Sequence, residues 1–246
     1  MSGALSGVAM VTGASSGIGR ATALELAARG MKLCLTGRDE ARLEECARAV
    51  GAACALVHGA DLAVDADVAA LVERVRAELG RLDVLVHSAG AIRLGNLEQA
   101  DAQDLDLQYR VNLRAPFLLS KACLPLLRQS SGQVVFVNSS AGISAGVDNA
   151  LYAATKAALR SLAGSLRDHV NAHGVRVLSV FAGRTATPMQ EAVYRFEGRR
   201  YEPEWLLQPG DVARAIADAL ALPRTAEVTD LMVRSMKKSP SGGLLK

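Results

Sequence analysis

Short apolar runs alternate with longer stretches of amphipathic periodicity along this chain. The short runs are typical of buried β-strands, and the stretches with apolar residues every three or four positions are typical of helices. Strands are predicted at residues 8–12, 32–36, 53–58, 84–87, 133–138, 175–181 and near 228–233. Helices are predicted at residues 18–29, 40–50, 64–79, 104–128, 152–173 and 209–220.

This alternation predicts βαβ units, in which right-handed crossover helices cover both faces of a parallel sheet. We therefore expect an α/β fold, a Rossmann-type three-layer αβα sandwich with a seven-stranded parallel sheet. Residues 1–236 contain no linker-like stretch and no internal repeat, which predicts a single domain. Residues 237–246, with the run Ser-Pro-Ser-Gly-Gly, are predicted to form a flexible tail.

Composition and charge narrow the class of protein. Half of the 246 residues are apolar and only 4% are aromatic, which suits helices packed on a buried sheet. The net charge is only +3 and basic residues alternate with acidic ones, so no nucleic-acid partner is expected. We expect no membrane span, because no apolar run reaches about 18 residues. We expect no signal peptide, because the N-terminus lacks a basic segment followed by an apolar core. Four scattered cysteines favour reduced, buried thiols and a cytoplasmic location.

A glycine-rich segment joins the first predicted strand to the first predicted helix. Its glycines suit a tight turn, a close backbone approach to a pyrophosphate, and close packing of helix on sheet. The N-terminus of the helix then attracts the phosphates. In this strand–turn–helix context the pattern predicts a dinucleotide site rather than a merely structural turn. The residues assigned to the site are Gly13, Ser15, Ser16, Gly17, Ile18 and Gly19.

The residues after the second strand bear on which dinucleotide binds. A carboxylate there binds the ribose 2′-hydroxyl of NAD, whereas an arginine accommodates the 2′-phosphate of NADP. Arg38 follows Gly37 and offers a permanently charged fork that matches a phosphate. Asp39 is expected to cap the next helix instead. We predict NADP(H) over NAD, with a solvated surface role as the alternative for Arg38.

Tyr152 and Lys156 are the candidate catalytic pair. Their spacing of four places both side chains on one helical face. A phenol with a pKa of about 10 is a poor acid–base catalyst, and a neighbouring cation lowers that pKa by stabilising the phenolate. Ser139 ends a predicted strand at the carboxyl edge of the sheet, where ligands bind. Its hydroxyl is expected to hydrogen-bond a substrate carbonyl beside the tyrosine.

Taken together, these motifs resemble the single-domain short-chain dehydrogenase/reductases, and the resemblance runs to about residue 189. The resemblance implies that Tyr152 is the general acid in reduction and the base in oxidation. It implies that Lys156 depresses the pKa of Tyr152 and holds the nicotinamide ribose, and that Ser139 positions the carbonyl oxygen. It also implies that Asn112 anchors a water that links Lys156 to solvent.

The resemblance further implies a set of cofactor contacts. Asp61 and Leu62 would bracket the adenine, the segment 88–90 would line a ribose, and Thr187 would hold the carboxamide. The cofactor-binding residues carried over in this way are Asp61, Leu62, Ser88, Ala89, Gly90, Tyr152, Lys156, Gly183 and Thr187.

Several positions depart from the family pattern. His87 replaces an asparagine and is expected to satisfy a backbone carbonyl. Arg184 is expected to have a structural or cofactor role ahead of a role in substrate recognition. The basic segment 194–201 falls within a predicted substrate lid, about residues 187–205, but a charged surface helix fits it equally. His169 and His173 are expected to lie at a solvated helix end, and no metal site is predicted. The ending typical of fatty-acyl ketoreductases is absent, which argues against an acyl-carrier substrate.

The pattern and the resemblance together predict an NADP(H)-dependent oxidoreductase that interconverts a small ketone or aldehyde and the corresponding alcohol. One alternative is an epimerase-type enzyme that uses the bound nicotinamide without net redox change. Another is a non-catalytic NADP-sensing protein, against which the presence of both Tyr152 and Lys156 argues. Apolar residues beyond one face of the two longest predicted helices favour a homodimer or homotetramer.

Overall fold

A single seven-stranded parallel sheet organises residues 3–237, the part of the chain that the computed structural model describes. The sheet order is β3-β2-β1-β4-β5-β6-β7, and every neighbouring pair is parallel. The predicted fold is therefore confirmed. The predicted tail lies outside the described residues except for Lys237. The strands are β1 (Val8–Thr12), β2 (Lys32–Gly37), β3 (Cys54–Gly59), β4 (Val84–His87), β5 (Gln133–Ser139), β6 (Arg176–Ala182) and β7 (Asp230–Val233).

Helices cover both faces of the sheet because successive side chains of each strand point to opposite faces. One apolar core packs α1, α2 and α8 on the face that carries Val11 and Leu35, and a second packs α3, α5 and α6 on the face that carries Met10 and Phe136. The helices are α1 (Gly17–Ala28), α2 (Glu40–Val50), α3 (Asp65–Glu78), α4 (Ala102–Tyr109), α5 (Ala115–Gln129), α6 (Ala150–Val170), α7 (Pro188–Phe196) and α8 (Pro209–Leu220).

The structure differs from the predicted helices at two places. The single helix predicted at 104–128 is divided into α4 and α5 by a π-helical turn at Arg110–Arg114. Apolar periodicity does not reveal such a turn because the helix axis continues through it. Helix α7 lies in the segment predicted only as a lid. The Thr187 side chain caps it by accepting from the Gln190 N–H (3.2 Å), and Pro188 occupies its first turn.

The strand order reverses at β1, which pairs with β2 on one side and β4 on the other. The loops that leave β1 and β4 run in different directions, and this divergence opens a crevice at the carboxyl edge of the sheet. Thr12 holds the two loop origins together, because its Oγ1 accepts from the N–H groups of Ser88 (3.0 Å) and Ala89 (3.1 Å).

The four cysteines lie in or near the core, as the sequence predicts. Cys34, Cys46 and Cys123 are buried and Cys54 is half-buried, all as free thiols. Burial raises the pKa of the Cys34 and Cys123 thiols to about 12, so these groups are inert at neutral pH. Within residues 3–237, the helices fall short of the length and apolar character needed to cross a bilayer.

Candidate active site

A cleft of about 650 Å³ lies at the carboxyl edge of the sheet, above the point where β1 and β4 diverge. Its volume is in the range of small-molecule sites. Asn112 does not line the cleft in the described structure. The other predicted site residues do, namely Gly13, Ser15, Ser16, Gly17, Ile18, Gly19, Arg38, Asp61, Leu62, Ser88, Ala89, Gly90, Ser139, Tyr152, Lys156, Gly183 and Thr187.

The loop between β1 and α1 has the geometry that its glycines allow. Gly13 and Gly17 have φ of +68° and +53°, a region that side chains other than glycine rarely adopt. A Cβ on Gly19 would lie 2.2 Å from the carbonyl oxygen of Gly13, so α1 packs directly on the loop. The first turn of α1 contains no acidic side chain, which leaves its partial positive charge available to an anion. The loop is therefore a suitable phosphate cradle.

Arg38 and Asp39 differ in their contacts, and Asp39 has the capping role expected from the sequence. Asp39 caps α2 by accepting from the Arg42 N–H (3.1 Å). Arg38 is exposed, lines the cleft, and makes no hydrogen bond or ion pair with any residue of the described structure. The guanidinium is thus available to a ligand.

The segment after β3 continues the same wall of the cleft. Asp61 Oδ1 accepts from the Ala63 N–H (3.0 Å), which fixes the turn that presents Asp61 and the buried Leu62. The Asp61 backbone N–H donates to the carboxylate of Asp67 at the start of α3 (2.9 Å). Local hydrogen bonds therefore hold both residues at the end of the cleft nearest β2 and β3.

Ser139, Tyr152 and Lys156 meet on the opposite side of the cleft. Ser139 ends β5, and Tyr152 and Lys156 lie on the first turns of α6. The Ser139 hydroxyl hydrogen-bonds to the phenol of Tyr152, while its Oγ accepts from the Ala141 N–H (3.1 Å). The Lys156 ammonium lies 5.7 Å from the centre of the Tyr152 ring. The predicted catalytic residues are thus adjacent in space.

The pKa of Tyr152 departs from the expectation drawn from its spacing to Lys156. Burial raises the pKa of the phenol above its ordinary value, and the hydrogen bond from Ser139 opposes this rise only in part. The expected lowering by Lys156 is not observed. Instead, burial lowers the pKa of Lys156 itself to about 8, and its Nζ donates to the Val137 carbonyl oxygen (3.0 Å).

Asn138 positions this group, a role that the sequence reasoning did not assign. Its Nδ2 donates to the Lys156 carbonyl oxygen (3.1 Å), and its Oδ1 accepts from the Ser139 N–H (2.8 Å). A Cβ on Gly142 would lie 2.9 Å from atoms of Asn138 and Lys156, so the loop and α6 are in close contact. The end of β5 is therefore tied directly to the turn that carries the lysine.

Asn112 lies behind the cleft in the π-helical turn. Its side chain is fully buried and exchanges hydrogen bonds with the Ala91 backbone at 2.8 and 2.9 Å. Its Nδ2 also donates to Thr155 Oγ1 (3.0 Å). A π-helical turn at such a position is typical of functional sites. Here the side chain holds the 88–91 loop against α6, and the predicted water-anchoring role stays a prediction.

The segment after β6 closes the cleft. The Gly183 N–H donates to the Val233 carbonyl oxygen (2.8 Å). A Cβ on Gly17 would lie 3.0 Å from Thr187 Cγ2, which places Thr187 against the phosphate loop. Gln190 also lines the cleft, and its Nε2 is buried without a hydrogen-bond partner among the described residues. A buried, unpaired amide beside a cleft indicates a ligand-binding group that sequence motifs did not signal.

The histidines are structural or solvated. His87 Nε2 lies 2.9 Å from Ser120 Oγ, and its ring stacks on Phe136 at 4.8 Å. The expectation of a structural role holds, but its partner is a hydroxyl rather than a backbone carbonyl. Burial lowers the pKa of His87 to about 3, so the ring is neutral. His169 lies 3.0 Å from Arg128, and no cluster of potential metal ligands occurs within the described residues.

Arg184 lines the cleft and is held in an ion pair. Its fork donates to both carboxylate oxygens of Glu197 (2.7 and 2.6 Å), and its guanidinium lies 5.3 Å from the centre of the Tyr194 ring. Arg199 covers the same ring at 4.9 Å and also pairs with Glu197 (3.2 Å). The basic segment predicted as a lid thus contributes to an ion-pair cluster around Tyr194.

Comparison with known proteins agrees with this geometry. Residues 7–198 match the short chain dehydrogenase family. An uncharacterized oxidoreductase of Staphylococcus epidermidis is 33% identical over 228 residues, which cover 92% of this chain and 96% of that protein. The chain therefore belongs to the short-chain dehydrogenase/reductase family. It is an oxidoreductase with a Rossmann-type fold.

Two solved structures of this class resemble it closely. One is an alcohol dehydrogenase from the archaeon Thermococcus sibiricus complexed with 5-hydroxy-NADP, with a TM-score of 0.86 at 27% identity, covering 96% of this chain and 99% of that chain. The other is a metagenomic short-chain oxidoreductase in complex with NADP, with a TM-score of 0.81 at 32% identity, covering 94% and 97%.

Proposed function

We propose that this protein is an NADP(H)-dependent oxidoreductase that interconverts a ketone or aldehyde and the corresponding alcohol. The observation that carries the proposal is the meeting of Ser139, Tyr152 and Lys156 in the cleft that begins at the phosphate loop. A proton donor, its hydrogen-bonding partner and a buried cation beside a dinucleotide cleft are the groups that hydride transfer to a carbonyl requires.

The residues present fit an NADP(H) cofactor. The loop 13–19 and the N-terminus of α1 would hold the pyrophosphate, and the uncommitted fork of Arg38 would hold the 2′-phosphate. The unpaired Nε2 of Gln190 would donate to the cofactor near Thr187. The NADP complexes of the two similar structures support this choice over NAD. When bound, the nicotinamide supplies or accepts the hydride.

Tyr152 moves the proton. In reduction the carbonyl carbon gains the hydride and the carbonyl oxygen gains the phenolic proton, which leaves Tyr152 as a phenolate until solvent reprotonates it. With substrate bound, the single O–H proton of Ser139 would turn from the phenol to the carbonyl oxygen, while Oγ keeps its hydrogen bond from the Ala141 N–H. A raised pKa keeps Tyr152 protonated at neutral pH, and this form is the one that a general acid needs. In this form Tyr152 can serve as the acid for reduction at pH 7.

Lys156 would hold the ribose of the cofactor. Only one of its three N–H donors is engaged by the Val137 carbonyl, so two remain for hydroxyl groups. We further propose that residues 187–205 form a substrate lid and that the protein is a homodimer or homotetramer. Leu105, Tyr109 and Phe117 on the α4–α5 surface expose apolar area suited to a subunit contact.

Oxidation of NADPH, followed by its absorbance across a panel of ketones and aldehydes, tests the proposal. We expect turnover with NADPH and much weaker turnover with NADH. Tight NADPH binding without turnover of any carbonyl compound would favour a cofactor-sensing protein and contradict the proposal.

A further inference from the structure

An apolar wall lines the cleft beyond Tyr152. On α7, three apolar side chains lie one and two turns apart and face the cleft. The opposite side is formed by two loops, which a hydrogen bond from the Gly95 N–H to the Asp148 carbonyl oxygen (3.0 Å) ties together. The residues of this apolar wall are Ile92, Leu94, Val147, Met189, Val193 and Phe196.

The apolar wall is unusually exposed at the mouth of the cleft. Val147 is 84% exposed and Phe196 is 51% exposed, whereas most large apolar side chains of the described chain are buried. Covering such side chains with the apolar body of a ligand is favourable, because it removes their area from water. The wall can therefore contribute binding free energy to a substrate that carries hydrocarbon next to its carbonyl group.

Charged groups of both signs line the described cleft: Asp39 and Asp61 accompany the arginines near β2, and Lys156 lies beside Tyr152. Arg38 and Arg42 lie at the end near β2, three strands away from β5 in the sheet order. Near the apolar wall stand the carboxylates of Asp148 and Glu197. The only arginine there among the described lining residues is Arg184, and both of its terminal nitrogens are committed to Glu197.

The charge of Glu197 is held in place by this pairing. Burial raises the pKa of its carboxyl, but hydrogen bonds from Arg184 and Arg199 outweigh burial and lower the pKa below its ordinary value. Arg195, Arg199 and Arg200 are absent from the described cleft lining. A substrate carboxylate in this region would lose its hydration without gaining an uncommitted arginine, because Glu197 already occupies Arg184 and Lys156 is assigned to the ribose of the cofactor.

We infer that the cleft selects an uncharged carbonyl compound with an apolar body and rejects one that bears a carboxylate near the carbonyl. The apolar wall supplies the attraction, and the rejection comes from the acidic Asp148 and from the lost hydration of a substrate carboxylate that finds no uncommitted arginine. This inference rests on the proposed carbonyl–alcohol oxidoreductase function and adds its substrate class.

Levulinate and its methyl ester test the rejection, because they share one ketone and differ in charge and by one methyl group. We expect kcat/KM with NADPH to be higher for the ester by about fortyfold or more, which is a factor of about ten (about 1.4 kcal/mol) beyond the two- to fourfold that one methyl group contributes. Glu197→Gln removes the anionic partner of Arg184, which leaves the guanidinium available to a substrate carboxylate. The preference for the ester should therefore fall several-fold. The double variant with Arg184→Gln should restore the preference, since it removes the released cation.

Straight-chain methyl ketones from butanone to octanone test the attraction. For a methylene that covers the apolar wall, kcat/KM should rise about two- to fourfold. Val147→Ser and Phe196→Ser should flatten this rise. Leu97→Ser is the matched control, since Leu97 is 72% exposed but does not belong to the described cleft lining, and this variant should keep the rise.

The outcomes separate the two proposals. A preference for the ester of no more than about fourfold, the share of its extra methyl group, overturns the substrate class and leaves the oxidoreductase function standing. Chain-length dependence unchanged by both serine variants does the same. No turnover of any of these ketones or of a broader carbonyl panel overturns the function itself. Circular dichroism of each variant shows whether the fold is retained. The ratio of kcat/KM for the ester to that for levulinate can still be compared between Glu197→Gln and the double variant when both are less active than the wild type.

Discussion

The buried ammonium of Lys156 should destabilise the folded protein. Burial lowers its pKa from 10.5 to about 8, and the residue is only 4% exposed. A lowered lysine pKa means that the folded state disfavours the charged form, so the cost is fully present below pH 8. It fades as the pH rises from 8 toward 10.5. The difference between the two pKa values corresponds to roughly 3 kcal/mol at pH 7 and roughly 2 kcal/mol at pH 9.

Lys156→Met removes this cost but leaves the Val137 carbonyl oxygen without its donor, at about 1–3 kcal/mol. We therefore expect the variant to be at least as stable as the wild type at pH 7, although catalysis is lost. The sharper signature is the pH dependence. Between pH 7 and pH 9 the wild type should gain about 1 kcal/mol relative to the variant.

Urea denaturation of the cofactor-free protein, followed by circular dichroism at equal protein concentrations, measures both quantities. Lys121→Met is the matched control, because Lys121 is exposed on α5. Its effect should stay within about 0.5 kcal/mol at both pH values. A stability difference between wild type and Lys156→Met that is the same at pH 7 and pH 9 would refute the reasoning.

Three further predictions concern the candidate site. Tyr152→Phe should lower kcat by at least about 10²-fold, because the proton donor is removed. Titration calorimetry should find the affinity for NADP⁺ nearly unchanged. Full activity of this variant would contradict the assignment of Tyr152 as the proton donor. Arg38→Ala should weaken NADPH, but not NADH, by about 10- to 100-fold in kcat/KM. Arg48→Ala is the control, because Arg48 is exposed on α2, the helix that follows Arg38, and does not belong to the described cleft lining. It should change kcat/KM with neither NADPH nor NADH. Gly19→Ala places a Cβ 2.2 Å from a loop carbonyl oxygen and should cost about 1–3 kcal/mol in urea unfolding. Gly164→Ala, in helix α6 with open space around it, should instead stabilise by about 0.5–1 kcal/mol.

Local patterns predicted the fold and the cofactor cradle because their physical causes are local. Apolar runs between glycine-rich turns determined the strands, and periodicity determined most helices. The conformations of Gly13 and Gly17 follow from backbone freedom that glycine alone provides. Asp39 caps α2 through a hydrogen bond only three residues away. The pairing of Tyr152 with Lys156 likewise follows from one helical repeat.

The chemistry of the site depended on long-range contacts that no local pattern contains. The raised pKa of Tyr152 and the lowered pKa of Lys156 result from burial by distant segments. The partner of His87 is Ser120, 33 residues away. Asn112, in the π-helical turn, hydrogen-bonds to Ala91 and Thr155, which lie 21 and 43 residues away along the chain.

By itself, the sequence determined that this is a short-chain dehydrogenase/reductase fold with a phosphate loop and a Tyr–Lys pair, because each is specified within a few residues. Only the tertiary structure decided the electrostatics around the pair. The sequence left a structural role and a cofactor role open for Arg184, and folding brings Glu197 within hydrogen-bonding distance and commits the charge of Arg184 to a structural ion pair. A charge that is paired by folding acts differently from the same charge in isolation, and such pairing is set by the packing of the whole chain.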